Sequence, residues 1–172
     1  YLGFDDRLMS YQNAELYVMD RDGSAPRSLT SSLDRTIDQA YWAADGRSLY
    51  VRYDDRAATK IARVDLDGRL TAVAEGLSGG SLDRPYTGGD FSVAKDGTVA
   101  FTSGTPQSPS DVSVTRRGKT LRLTQINAGL FADKTLAEVR PLAVTSSFDR
   151  RSIDAWMALP PNFDPAKKYP LI

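Results

Sequence analysis

The chain contains neither cysteine nor histidine. The first absence excludes disulfides, thiolate nucleophiles and cysteine-based zinc sites within it. That fits a cytosolic protein and a bacterial exported one equally, so the cytoplasm and the bacterial periplasm both stay open. The second absence excludes a Ser-His-Asp or Cys-His arrangement, histidine metal ligands, and the one side chain that ordinarily titrates near neutrality. An excess of either charge is also missing, with 22 Lys and Arg against 22 Asp and Glu. There is therefore no electrostatic case for nucleic acid or an anionic membrane as partner. No apolar run approaches the ~20 residues of a membrane-spanning helix. Tyr1 is not an initiator Met, so the lack of a leader sequence says nothing about export. What remains is 172 residues, about one domain's worth, with a 41% hydrophobic share that is too apolar for a disordered chain.

One hairpin pattern is written three times. Leu16-Tyr-Val-Met-Asp-Arg-Asp22-Gly23 runs on into Arg27-Ser-Leu-Thr30. Ile61-Ala-Arg-Val-Asp-Leu-Asp67-Gly68 runs on into Arg69-Leu-Thr-Ala-Val73. Val112-Ser-Val-Thr-Arg-Arg117-Gly118 runs on into Leu121-Arg-Leu-Thr124. Each reads as an alternating strand, a Gly-centred turn and a second alternating strand. Gly supplies the positive φ that a tight hairpin needs, and Asp tolerates the neighbouring turn position. The turn glycines fall 45 and then 50 residues apart. A period in that range is one four-stranded sheet per repeat, as in a propeller blade.

A second pattern lies between these hairpins. Ala40-Tyr-Trp42-Ala-Ala-Asp45-Gly46-Arg-Ser-Leu-Tyr50-Val51 has its counterpart in Phe91-Ser-Val93-Ala-Lys-Asp96-Gly97-Thr-Val-Ala-Phe101. The two patterns alternate, so each blade has an inner hairpin bearing an aromatic and an outer hairpin ending near Leu-Thr. An antiparallel sandwich would share the Asp-Gly turns, but the regular spacing and fixed alternation favour blades. The expected fold class is all-β, a partial β-propeller of two to three four-stranded antiparallel WD-like blades.

Tyr1-Leu-Gly-Phe4 reads as a short strand, the tail of an inner hairpin, so the chain is expected to start inside a blade. Full blades are expected from about Asp38 to Val73 and from about Asp90 to Thr124. Glu75–Gly89, with Pro85, and Gly104–Ser110, with two prolines, read as loops. The texture changes after Ile126. Leu130–Ala137 reads as a short helix or an irregular stretch. Pro141–Ser147 and Ile153–Leu159 read as strands about a turn at Phe148–Ser152. Lys167–Ile172 reads as the start of a further strand.

That last stretch carries a resemblance. Ser146-Ser-Phe-Asp149, Ile153-Asp-Ala-Trp156-Met-Ala-Leu-Pro160-Pro, Phe163-Asp-Pro165 and Lys168-Tyr-Pro170-Leu-Ile172 resemble the propeller-to-hydrolase junction of the prolyl oligopeptidase family of serine peptidases. The acylaminoacyl-peptidase and dipeptidyl-peptidase branch is the most similar. The departures are Phe148-Asp149-Arg150, where relatives often have an Asp-Gly turn, and Ala155-Trp156, where many have Gly-Trp. They bear on the branch, not the family. The resemblance implies that residues 1–140 are C-terminal propeller blades. Residues 141–172 would be the junction and opening strands of an α/β-hydrolase domain. It further implies a parent that hydrolyses short peptides, with the propeller gating access. Its partners would be a peptide substrate, the remaining blades and the hydrolase domain, with no cofactor. The family's catalytic Ser, Asp and His would all lie beyond Ile172, so no catalytic, cofactor-binding or metal-binding residue is carried over. This chain alone is expected to be inactive. The alternative is a non-catalytic propeller that serves as a binding scaffold.

Several motifs have a bland explanation. Gly76-Leu-Ser78-Gly-Gly80 satisfies the Gly-x-Ser-x-Gly expression, but that elbow needs a strand before the Ser, a helix after it and a His to take the proton. Ser78 therefore reads as part of a blade-connecting loop. Arg116-Arg-Gly118-Lys-Thr120 ends like a phosphate loop but has Ser113 where the first Gly belongs. Asp20-x-Asp22-Gly and Asp65-x-Asp67-Gly lack the remaining ligands of a calcium loop. The adjacent acids Asp5-Asp6 and Asp54-Asp55 are candidates for holding a substrate amine or an ion, against the plainer reading of solvated strand ends. Trp42, Tyr50, Phe91, Phe101 and Trp156 read as inter-blade core. Arg84 and Tyr86 lie in a long loop, where function concentrates.

Overall fold

The computed structural model describes residues 1–79 and 87–171. The chain divides into two compact units. One comprises residues 1–105 with 109–125, and the other residues 126–172 with 106–108.

The first unit is a series of antiparallel sheets. β1 (Leu2–Gly3), β2 (Glu15–Val18) and β3 (Arg27–Ser28) form a three-stranded sheet. β4 (Ile37–Trp42), β5 (Ser48–Asp55), β6 (Ala58–Asp65) and β7 (Leu70–Leu77) form a four-stranded meander. β8 (Phe91–Val93), β9 (Val99–Thr105), β10 (Ser108–Arg116) and β11 (Lys119–Arg122) form the next. Among the described residues a bridge from Leu77 to Ser103 joins the two meanders. These are successive propeller blades, as the repeat spacing predicts.

The turns follow the glycines. At Gly23, Gly46, Gly68 and Gly97 the Gly amide donates to the carbonyl three residues earlier, at 2.9–3.0 Å. Each of these glycines has φ between +62° and +87°, the left-handed residue that closes a type I hairpin turn. The Leu-Thr endings have a purpose as well. Leu29 N donates to Leu16 O at 2.8 Å, and Leu16 N donates to the Thr30 hydroxyl at 2.9 Å. Leu123 N donates to Val112 O at 2.7 Å, and Val112 N to the Thr124 hydroxyl at 2.9 Å. The threonine side chain thus extends the ladder by one bond after the outer strand ends.

Two apolar clusters fill the spaces between sheets. Leu16, Leu29, Ile37, Leu49, Val51, Ala62 and Val64 form one. Tyr50, Ile61, Leu77, Phe91, Val99 and Phe101 form the other. Consecutive residues of β5 feed opposite clusters, Leu49 and Val51 one, Tyr50 the other. A strand's side chains alternate faces, so β5 is covered on both sides. Face-to-face stacking of blades does this. Among the described residues these thirteen are buried, and Leu159, in the second unit, is the one further buried hydrophobic.

Several expectations are corrected. Gly104–Ser110 is not a loop. β9 runs to Thr105, β10 starts at Ser108, and only Pro106-Gln107 turn. Pro109 is tolerated because β11 pairs only with Ser113–Arg116, so no β11 ladder bond is lost there. β7 continues to Leu77, three residues into the expected Glu75–Gly89 loop. Pro85 lies outside the described residues. An eight-residue pair, β5–β6, turns at Arg56-Ala57 with φ +50° and +55°, without the Gly or Asn that announces such a turn. Trp42 is 57% exposed, because β4 is the terminal strand of its sheet.

The second unit contains α1 (Ala128–Phe131) and a two-stranded sheet, β12 (Glu138–Thr145) with β13 (Ser152–Leu159). All eight residues of each strand pair, from Glu138–Leu159 to Thr145–Ser152. Trp156, expected in the core, is 44% exposed, since two strands alone have no opposing layer. Lys167–Leu171 form no strand. Pro170 lacks a ladder donor, and no neighbouring strand pairs with the segment among the described residues. Ile172 lies outside them.

Candidate functional site

Because the strands alternate in direction, the β1–β2, β3–β4 and β5–β6 connections gather at one end of the blades. The longest fully described one is Phe4–Ala14, between β1 and β2. Asp6 organises it. Its Oδ1 accepts from Leu8 N at 2.8 Å and from the Gln12 side-chain amide at 3.1 Å, while Gln12 Oε1 accepts from Arg7 N at 2.8 Å. Asn13 then ties the loop to the β3–β4 connection, donating to Asp34 at 3.0 Å and accepting from the Thr36 hydroxyl at 3.1 Å.

Between loop and connection lies a cleft of about 340 Å³. Phe4, Asp5, Arg7, Met9, Tyr11 and Asp34 are among its lining. The neighbouring charges are mostly engaged. Arg35 donates to Asp55 at 2.9 Å, and Lys60 bonds Asp55 at 2.8 Å. The Lys60 hydrogen bond, helped by Arg35, holds the Asp55 carboxyl below its ordinary range, and burial only partly opposes this. Lys60 is raised in turn by the same bond. Asp5 and Arg7 form no hydrogen bond or ion pair through their side chains among the described residues.

A second polar cluster sits nearer the core. A bulge at Asp38 breaks the β4–β5 register, and Arg52 takes Asp38 in a bidentate pair at 2.8 and 2.9 Å. Arg52 also donates to Gly89 O and lies 3.6 Å from Asp90. Gln39 donates to Asp90 at 2.9 Å. These contacts fasten β4 and β5 to the entry of β8, which is a structural task.

The motif residues fall as follows. Ser78 is fully buried. Its hydroxyl is 2.9 Å from the Ser110 hydroxyl and its carbonyl accepts from Thr102 at 2.8 Å. It follows β7 directly, as an elbow Ser follows a strand, but it points into packed structure. Gly80 lies outside the described residues, as do Arg84 and Tyr86. Arg116–Lys119 is a hairpin turn, with Arg116 paired to Asp96 at 3.1 Å. Asp22 accepts from the Ser24 amide and hydroxyl, and Asp67 from the Arg69 amide, so these acids serve their own turns. Asp6 caps its loop. Asp54 accepts from the Thr59 hydroxyl, and Asp55 holds Arg35 and Lys60. Of the two acid pairs, only Asp5 has no carboxylate partner among the described residues. Tyr50, Phe91 and Phe101 are core, as expected. Arg7 and Tyr11 escaped sequence reasoning, although one signal was there. An eleven-residue connection holding Phe4, Leu8, Met9 and Tyr11 is unusually apolar for a loop.

The second unit has its own concavity, a groove of about 790 Å³ along β13 lined by Leu142, Trp156, Leu159, Tyr169 and Pro170.

The architecture defines a class, antiparallel propeller blades followed by a separate two-stranded unit. No protein-family model matches the chain. It is 26% identical over 176 aligned residues to "Probable dipeptidyl-peptidase 5" of Aspergillus clavatus, covering 99% of this chain and 23% of that protein. Among solved structures it is similar to an acylaminoacyl peptidase in complex with Z-Gly-Gly-Phe-chloromethyl ketone. The TM-score is 0.69 and the identity 17%, over 92% of this chain and 22% of that one. It is also similar to the β-propeller domain of the Trilobed protease from Pyrococcus furiosus, with TM-score 0.55 and identity 19%, over 77% of this chain and 36% of that one. The resemblance to prolyl oligopeptidase-type peptidases, and to their propeller part, thus stands in sequence and in fold. The chain spans about a quarter of the length of its curated relative.

Proposed function

We propose that this chain is the last part of the propeller and the opening of the hydrolase domain of a serine peptidase acting on short peptides. In this reading the blades end before β12, and β12 with β13 opens the hydrolase domain. The β12–β13 hairpin is the edge of a larger sheet, and the groove beside Trp156 is the face that the rest of that domain covers. The carrying observation is the similarity to a dipeptidyl-peptidase along 99% of the chain, through a junction whose residues resemble the same family. The parent forms an acyl-enzyme on a Ser, with a His as base and backbone amides holding the oxyanion. Those groups belong to the part of the parent outside these residues. The propeller restricts entry, so oligopeptides react and folded proteins do not. The test is labelling of the full-length protein by a fluorophosphonate, together with turnover of chromogenic dipeptidyl and acyl-aminoacyl substrates. Labelling and turnover are expected. A full-length protein that never labels leaves the scaffold reading in place.

A further inference from the structure

We propose that the cleft under the Phe4–Ala14 loop is a binding site for a short peptide with free termini, its carboxylate taken by Arg7 and its ammonium held near Asp5. The inference rests on the peptidase reading for the ligand class, and on three observations for the site. First, the cleft is preorganised. The Asp6–Gln12 contacts close the loop on itself, and Asn13 pins it to Asp34 and Thr36. Binding therefore costs little ordering of the backbone.

Second, the cleft presents both signs of charge. Asp34, Arg35 and Asp55 are bonded to one another or to Asn13 and Lys60. Glu15, another acid of the lining, interacts with Tyr17. The side chains of Asp5 and Arg7 pair neither with each other nor with any other described residue. A zwitterion meets both signs of charge at once. Guanidinium also matches a carboxylate in bidentate geometry.

Third, the same loop presents apolar surface to solvent. Tyr11 is 81% and Met9 53% exposed. Large apolar side chains gathered on one loop mark a contact surface, and here they flank the charged pair. At about 340 Å³ the cleft lies at the small end of the ~300–1,000 Å³ typical of ligand sites, the scale of a released peptide and not of a folded domain.

The test is calorimetric titration of the full-length protein, after reaction with fluorophosphonate where it labels and unreacted where it does not. The ligands are Gly-Leu-Phe as the free acid and as its C-terminal amide. The acid should bind roughly tenfold more tightly or better, the scale of a charge-assisted hydrogen-bonded pair. Arg7→Ala should reduce the acid to the amide's affinity, and Arg7→Lys should keep part of the preference. Asp5→Asn should weaken acid and amide alike. Both side chains are exposed and unpaired, so these variants should fold as the parent does. Equal binding of acid and amide, no binding of either, or a preference surviving in Arg7→Ala overturns the proposal. Labelling is read separately. A protein that labels without this preference sinks only the cleft, and one with the preference that never labels sinks only the peptidase reading.

Discussion

Gly89 is closely confined by Thr102 and Ser78, and replacing it by Ala gives a quantitative test of the packing described above. Its φ is +82°, and a Cβ there would stand 2.6 Å from the Thr102 hydroxyl, 2.7 Å from Ser78 O and 2.9 Å from Ser78 N. None of these atoms is free to retreat. Ser78 N donates to Thr102 O at 3.2 Å, the Thr102 hydroxyl donates to Ser78 O at 2.8 Å, and Asp90 N donates to that hydroxyl at 3.1 Å. The left-handed backbone costs an Ala about 1–2 kcal/mol. Forcing a methyl into packed structure adds roughly 1–3 kcal/mol. Gly89→Ala should therefore destabilise the β8–β9 region by about 2–5 kcal/mol. Gly23 is the control. Its φ is +87° and nothing lies within 4 Å of its Cβ position, so Gly23→Ala should cost only the backbone part, about 1–2 kcal/mol. Hydrogen exchange on the full-length protein reads the effect segment by segment, without assuming that a multidomain protein melts in one step. The protection of the Thr102 and Ser78 amides is the quantity to follow. If Gly89→Ala costs no more than Gly23→Ala, the close approach of this crossover to β9 is wrong.

Other outcomes follow from the same structure. Ala57→Gly should raise stability by about 0.5–1 kcal/mol, because relief of a left-handed Ala outweighs the added freedom of Gly in the unfolded chain; a lower melting temperature would contradict the Arg56-Ala57 turn. Ser78→Ala should cost about 1 kcal/mol for the lost Ser110 contact and leave turnover of the full-length protein within a few-fold. A loss beyond roughly a hundredfold would make Ser78 a chemical participant. Asp55 is held below its ordinary carboxyl range by Lys60 and Arg35, so it binds a proton less readily folded than unfolded. Its stabilisation should be complete above the ordinary range, about pH 4, and fade as pH falls through the lower folded value. The stability gap between the parent and Asp55→Asn should accordingly narrow as pH falls below the ordinary carboxyl range, about pH 4, and a gap that widens on acidification refutes the assignment.

Local chemistry determined much of this protein before any tertiary contact was known. Asp-Gly pairs at Asp22, Asp45, Asp67 and Asp96 marked four hairpin turns, since only a few residue types accept the backbone those turns require. Alternation on either side marked the strands, and the 45- and 50-residue spacing of the turn glycines marked the blades. The change of texture after Ile126 marked a second unit, and the Val144–Ile172 residues carried the family resemblance. The β5–β6 turn stayed hidden because Arg56 and Ala57 hold a left-handed conformation that packing imposes and composition does not announce. Trp42 and Trp156 read as core, since a large apolar side chain is usually buried. Their exposure was decided by which strands had neighbours, a non-local property. The cleft is of the same kind. Asp5 was visible as an acid and Arg7 as a cation, but that both lack side-chain partners among the described residues depends on where Asp34, Asp55 and Lys60 come to rest. Those residues are distant in sequence, and only the stacking of the blades brings them together.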